Sequence, residues 1–182
     1  MSAPVGKQEK YARPERERRF LMGAVPNEPA PIRVVRITDL YVTGTRLRLR
    51  RMLERTGDSE VKIYKLTQKL PRGSGASGLI TTLYLSADEY EVLCVLPGVT
   101  LTKTRLSLPP FGVDIFDPPL DGLFLAEVEF DSDAAMASFE VPNWSVAEVT
   151  TDVRFTGGRL ASTGADELQS WLVEFGVAVA PS

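Results

Sequence analysis

Apolar and polar positions alternate with a period of two over much of this chain, as in strands with one face toward a core and one away from it. The alternation begins at Glu15-Arg16-Glu17-Arg18-Arg19-Phe20-Leu21. It returns in Ile32 to Val42, Arg46 to Leu53, Val61 to Lys69, Leu79 to Leu85, Leu101 to Leu108, Gly112 to Phe116 and Leu123 to Phe130. Turn chemistry separates these runs. Pro26 to Pro31 reads as a loop, Thr43-Gly44 as a break and Thr56-Gly57-Asp58-Ser59 as a hairpin turn. Residues 71–78, rich in Gly and Ser, read as a flexible loop, and Asp117 to Gly122 as a proline-containing one. Ser86-Ala87-Asp88-Glu89 has capping-box spacing and predicts a short helix to about Leu96. Asp131 to Phe139 predicts a second, capped by Asp131 or Ser132. From Gly164 the period turns helical, with Leu168, Trp171, Leu172 and Phe175 on one stripe. Val149 to Thr151 reads as a short edge strand, and residues 1–14, which have no period, as a flexible tail. The fold expected is α+β: an eight-stranded antiparallel β-barrel with a few flanking helices.

What the alternating faces carry is unusual. Glu15, Glu17 and Arg19 share one side of the first strand. Arg46, Arg48 and Arg50 place an arginine at every second residue. Lys65 and Lys69, then Lys103 and Arg105, then Glu127 and Glu129 repeat the spacing, and Asp114 lies opposite Val113 and Ile115. Any one segment alone fits a solvated edge or surface strand. Together they bring both signs of charge in quantity, and like charges on adjacent strands repel. Acids gathered around a cation and bases around a polyanion would resolve that repulsion. Arginine offers a planar fork to phosphate oxygens, and a hard divalent ion prefers carboxylate oxygens.

Composition narrows the chemistry. At 182 residues, 43% hydrophobic and 25% charged, the chain is long enough for one domain with a substantial core. A net charge of −3 gives no reason to expect general nucleic-acid binding, although the basic residues concentrate in the first 72 positions. There is no histidine, which removes histidine-based general bases, Ser-His and Cys-His pairs and His-ligated zinc. The single cysteine, Cys94, excludes an internal disulfide and lies in an apolar stretch read as core. No apolar run is long enough to span a bilayer and no signal peptide is legible, so a cytoplasmic protein without membrane contact is expected.

In order, these segments resemble the CYTH superfamily, the triphosphate tunnel metalloenzymes. Glu15-Arg-Glu17-Arg-Arg19-Phe20-Leu21 is similar to the family's Glu-x-Glu-x-Lys first strand. Tyr41-Val42, Arg48-Leu-Arg50, Leu66-Thr67-Gln68-Lys69, Lys103-Thr-Arg105, Asp114-Ile-Phe116 and Glu127-Val-Glu129-Phe130 resemble later strands of the family. Glu148-Val-Thr-Thr-Asp152-Val-Arg154-Phe155 resembles the closing segment. The matches run from residue 15 to about residue 161. The resemblance implies a tunnel domain over residues 15–182, including the C-terminal helix. It implies Mg²⁺ or Mn²⁺ held by Glu15, Glu17, Glu127 and Glu129, with Asp114 as a further candidate. Arg19, Arg48, Arg50, Lys69 and Arg105 would bind the triphosphate, with Lys65, Arg46 and Arg154 as outer contacts. Lys103 would act as a phosphate clamp and, with Tyr41, help to activate water, as in the bacterial inorganic triphosphatase branch.

The activity implied is metal-dependent hydrolysis of inorganic triphosphate or a small organic triphosphate. A class IV-like adenylyl cyclase and a non-catalytic triphosphate- or polyphosphate-binding module remain as alternatives. The partner expected is a triphosphate-containing small molecule, and a homodimer is the default form for any oligomer. Two departures from the family pattern stand out. Arg19 replaces the hallmark lysine, and Ile80 and Thr82 occupy positions where relatives carry acids.

Overall fold

The computed structural model describes residues 11–56, 59–71 and 78–177. Residues 1–10 of the expected tail, residues 57–58 of the hairpin turn and residues 72–77 of the Gly/Ser-rich loop lie outside that range. Ten strands form one antiparallel sheet: β1 (Arg13–Pro14), β2 (Glu17–Met22), β3 (Arg33–Val42), β4 (Leu47–Thr56), β5 (Ser59–Pro71), β6 (Gly78–Leu85), β7 (Gly98–Leu108), β8 (Phe111–Phe116), β9 (Phe124–Glu129) and β10 (Ser145–Glu148). Among the described residues the helices are α1 (Ala87–Leu93), α2 (Asp133–Ser138), α3 (Gly157–Leu160) and α4 (Ala165–Glu174), with a 3₁₀ turn at Val153–Phe155.

The sheet order is β1-β6-β5-β4-β3-β7-β8-β9-β2-β10. The expected eight-stranded closed barrel is therefore corrected to an antiparallel sheet of ten strands, not closed by a continuous ladder. The reason lies in the first charged segment. Arg13 and Pro14 pair with Ile80 and Leu79 of β6, whereas Glu17 to Met22 pair with β9. The chain crosses from one end of the sheet to the other between Pro14 and Glu17, and the Glu15 amide still donates to the Gly78 carbonyl at 2.9 Å. Arg13 and Pro14, read as tail from the sequence, thus form an edge strand of their own, the expected first strand begins at Glu17 rather than Glu15, and Pro14, with no N–H, suits this short edge. The closing segment supplies β10 at Ser145–Glu148, not at Val149–Thr151, where residues 150–151 form a turn.

Register decides which side chains share a face. Tyr41 opposes Arg48, which opposes Thr67, which opposes Thr82. Asp39, Arg50, Lys65 and Tyr84 form the next such row. Arg105 faces Asp114, Arg19 faces Glu127 and Glu17 faces Glu129. All of these lie on one side of the sheet, because directly opposed residues point the same way. The same side is apolar at one end. There Leu21, Leu101, Phe116 and Leu125 pack with Phe155, Leu160, Leu168, Trp171 and Leu172 from the C-terminal helices. The opposite side of β2, β7, β8 and β9 buries Phe20, Met22, Leu108, Val113, Ala126 and Val128 beneath Phe111, Phe130 and Phe139.

α1 carries the expected capping box: the Ser86 side chain accepts from the Glu89 amide, and the Glu89 side chain accepts from the Ser86 amide. The helix buries no residue, and Cys94 at its C-cap is exposed. The core reading of Cys94 is therefore corrected. The apolar stretch around it lies on a helix lodged outside the sheet, with Tyr90 against Tyr64 as its aromatic contact.

Candidate functional site

The charged side of the sheet encloses a cavity of about 540 Å³. Its wall is built by the first charged segment (Glu15, Glu17, Arg19), by β3 and β4 (Tyr41, Arg48, Arg50), by Lys69, by Lys103 and Arg105 of β7, and by Glu127 and Glu129. Strand alternation alone selects these side chains. Arg16 and Arg18, on the other side of the same segment, pair outside with Asp133 and Glu148, each at 2.6 Å.

Two fully buried aspartates stand behind the cationic wall. Asp39, 1% exposed, accepts from Arg50 Nε and Nη2 at 2.6 and 2.7 Å. Burial alone would push its carboxyl up, but the Arg50 hydrogen bond and the charges of Arg50, Arg48 and Lys103 lower it. Asp114, 0% exposed, accepts from Arg105 Nε at 2.7 Å and Nη2 at 2.6 Å, and from the Lys103 ammonium. Arg105 also donates to Glu127. Lys103 is 6% exposed, and burial lowers its pKa against the opposing pull of Asp114 and Glu127.

The acids divide in the same way. Glu127 is pushed up by burial but held well below the carboxylate range by Arg105, Lys103 and Arg19. Glu17 is raised, first by burial and next by the charge of Glu127. Glu15 pairs with Lys69, and Glu17 lies 3.2 Å from Arg19 Nε. Among the described residues no three acids gather into a cluster that could hold a metal ion.

The cavity still has donors to offer. Arg19 Nε and Arg48 Nε are buried and have no hydrogen-bond partner. Arg19 is nonetheless held in place, because its Nη1 donates to the Phe155 carbonyl at 2.6 Å. Buried unsatisfied donors are costly, and an anion in the cavity would satisfy both. Tyr41 lines the same space with its hydroxyl pushed up to about 12, by burial first and then by Asp39, so it stays protonated at neutral pH.

No family model matches the chain. An inorganic triphosphatase from Nitrosomonas europaea is 31% identical over 153 residues, covering 81% of this chain and 96% of that protein. The chain belongs to the inorganic triphosphatase family. Two solved structures agree. The crystal structure of the inorganic triphosphatase NE1496 has a TM-score of 0.53 at 27% identity, covering 82% of this chain and 95% of that one. The crystal structure of the hypothetical protein NE1496 has a TM-score of 0.53 at 28% identity, covering 82% and 99%.

In this triphosphatase-family chain the structure gathers ten of the residues expected at the site around the one cavity: Glu15, Glu17, Arg19, Arg48, Arg50, Lys69, Lys103, Arg105, Glu127 and Glu129, with Tyr41 beside them. It does not bring Lys65, Asp114 or Arg154 to the cavity wall. Lys65 shares the face but lies over the Tyr84 ring, 5.0 Å from its centroid. Asp114 lies behind the wall, occupied by Lys103 and Arg105. Arg154 pairs with Asp152 at 2.8 Å and Glu174 at 2.6 Å, and so ties the closing segment to α4.

Several residues in or behind the wall escaped the sequence reading. Asp39 was signalled only by its place two residues before Tyr41. Thr150, Thr151, Thr156, Gly157 and Gly158 come from the irregular closing segment, where no strand period marks a face. Of the two missing acids, Ile80 lines the cavity, and Thr82 shares a hydrogen bond with Thr67 at 3.2 Å.

Proposed function

We propose that the protein hydrolyses the terminal phosphoanhydride bond of inorganic triphosphate or a small organic triphosphate in this cavity. The observation that carries the reading is the convergence of six cationic side chains on one cavity, two of them with a buried Nε that makes no hydrogen bond. A linear triphosphate supplies several oxygens to such donors, and phosphoryl transfer asks of the protein chiefly positioning and charge stabilisation.

The cavity's carboxylates fit a hard divalent cation, Mg²⁺ or Mn²⁺. Glu17 is raised by burial and by neighbouring carboxylates, a cost that a cation removes. Glu129 makes no ion pair among the described residues. The carboxylates line the cavity without forming a closed cage, which suits an ion that completes its shell with water and substrate phosphates. Glu15, Glu17, Glu127 and Glu129 would hold it. When bound, it would neutralise charge building on the departing phosphate oxygens.

The chain's own groups carry the rest. Arg48 and Arg19 donate to phosphate oxygens, and Arg50 and Arg105 sustain the positive field while anchored on Asp39 and Asp114. Lys103, fixed by Asp114, and Tyr41, as a protonated hydroxyl, hold a water for in-line attack on the terminal phosphorus. The new bond joins water oxygen to phosphorus. The bond that breaks joins phosphorus to the bridging oxygen, which leaves with the other two phosphoryl groups and takes up the proton given up by the water, so that orthophosphate and a diphosphate are released. The protein is thus an enzyme without a covalent nucleophile, consistent with a chain that has no histidine and an exposed cysteine on an outer helix.

The test incubates the protein separately with tripolyphosphate and ATP, each with Mg²⁺ or Mn²⁺, and resolves orthophosphate, pyrophosphate and cyclic AMP. Orthophosphate from tripolyphosphate without cyclic AMP from ATP is expected. Cyclic AMP with pyrophosphate would overturn the reading in favour of a cyclase. Ile80 in the cavity wall, where an acid was expected, favours one second reading, a binding module, which would bind tripolyphosphate and turn over neither compound.

A further inference from the structure

A second cavity, of about 480 Å³, opens beside the first at the β3–β4 turn. The two share Tyr41, Arg48, Lys69 and Gly158. Their chemistry differs. The larger cavity has four glutamates in its wall. The smaller has none: its charged residues are Arg46, Arg48 and Lys69, beside Thr43, Thr45 and Ser162. Among the described residues Arg46 makes no ion pair, although Arg48 and Lys69 do. It belongs to the run that gives Arg48 and Arg50, one strand step further out, roughly 7 Å along the chain from Arg48. The Lys69 amide donates to the Arg46 carbonyl at 3.4 Å, which holds the two residues side by side. Gly44, with φ of 70°, makes the tight turn that leaves this mouth open.

A compartment lined by cations and hydroxyls, with no carboxylate, suits an anion without a metal. Its continuity through Arg48, whose Nε makes no hydrogen bond, suits the same anion as the larger cavity. We propose that this compartment is a further phosphate subsite that takes the unit beyond the third of a linear polyphosphate, with Arg46 as its dedicated cation. The inference rests on the triphosphate reading of the larger cavity. It makes Arg46 a determinant of chain length, acting on polyphosphates longer than three units. A phosphate there gains the positive compartment without adding to the crowding of carboxylates around the metal wall.

The experiment follows the initial rate of pyrophosphate release from tripolyphosphate in the presence of Mg²⁺, with tetrapolyphosphate or ATP as competitor, in the wild type and in Arg46→Ala. Arg46 is exposed and unpaired, so the substitution spares the fold, and a melting curve checks this. The expected result is an inhibition constant for tetrapolyphosphate that rises about fivefold or more relative to any change in KM for tripolyphosphate. Arg46→Glu should widen that gap and Arg46→Lys narrow it. Equal changes on both polyphosphates, or none, would overturn the subsite. Selective weakening of ATP competition would also overturn it, because the compartment would then hold the organic group of a triphosphate. No pyrophosphate from tripolyphosphate in the wild type would instead overturn the reading on which the subsite rests.

Discussion

Arg48 and Arg50 are neighbours on one strand face, yet they do different jobs. Arg50 is hydrogen-bonded to buried Asp39, whereas Arg48 Nε makes no hydrogen bond and only a looser ion pair with Asp39 at 3.7 Å. Arg48→Ala should weaken tripolyphosphate binding by about 1.5–3 kcal/mol, measured by calorimetry, with a small change in melting temperature. Arg50→Ala strands a buried carboxylate and should cost about 3–5 kcal/mol of stability as well. Equal stability losses in the two variants would contradict this division. Asp39 also sets a pH dependence. Its folded pKa is lowered, so its contribution to stability is present at neutral pH. That contribution is lost as pH falls below the ordinary carboxylate value of about 3.9 toward the lowered one. Melting curves across this range should flatten in Asp39→Asn, and an unchanged slope would remove Asp39 from the account. Glu17→Gln keeps shape and removes the charge a cation needs. Orthophosphate release should collapse while the melting temperature holds or rises, because the ionised Glu17 is costly where it sits. Wild-type activity and metal dependence in that variant would show that Glu17 is not a ligand.

The elements differ in how plainly the sequence announced them. β3, β4, β5, β7 and β9 follow from simple alternation, and α1 from Ser86 and Glu89, because each is specified by neighbours in the chain. β1 and the β1–β2 crossing do not, since pairing with β6 is a long-range choice and Pro14 hides it. The closing segment was legible as a string of charges resembling the family's but not as architecture. Its Glu148 pairs with Arg18 and its Asp152 with Arg154, both away from the cavity. Its contribution to the cavity comes instead from small residues. A Cβ at Gly157 would overlap the Tyr41 hydroxyl, so the 3₁₀ turn and α3 can approach Tyr41 only with glycine there. Gly157→Ala should displace the ring or the turn, destabilise the protein by roughly 1–3 kcal/mol and lower kcat more than it raises KM. Unaltered kinetics would show that the position of Tyr41 is not critical.

At the scale of the molecule, one face of the sheet is partitioned. Its apolar end is sealed by α3 and α4, and its charged end is left as a cavity in which acids and bases interleave, Glu15 with Lys69, Glu17 with Arg19 and Glu127 with Arg105. Alternation revealed the charged face, and the order of motifs suggested its use. Neither could reveal how far the sheet closes, because that depends on where a two-residue link carries the chain across the open edge. Nor could they show which charges are spent on one another, as Asp114 is on Lys103 and Arg105. No helix among the described residues is long and apolar enough to cross a membrane. On the proposed reading, the cavity hydrolyses a linear triphosphate with a divalent ion held by its carboxylates. The most direct measurement is the initial rate of orthophosphate release from tripolyphosphate by chelator-treated protein, titrated with Mg²⁺ or Mn²⁺. A rate near zero without the ion, rising to saturation with it and abolished in Glu17→Gln, is predicted. A folded protein that binds tripolyphosphate yet releases no orthophosphate at any concentration of either ion would contradict it.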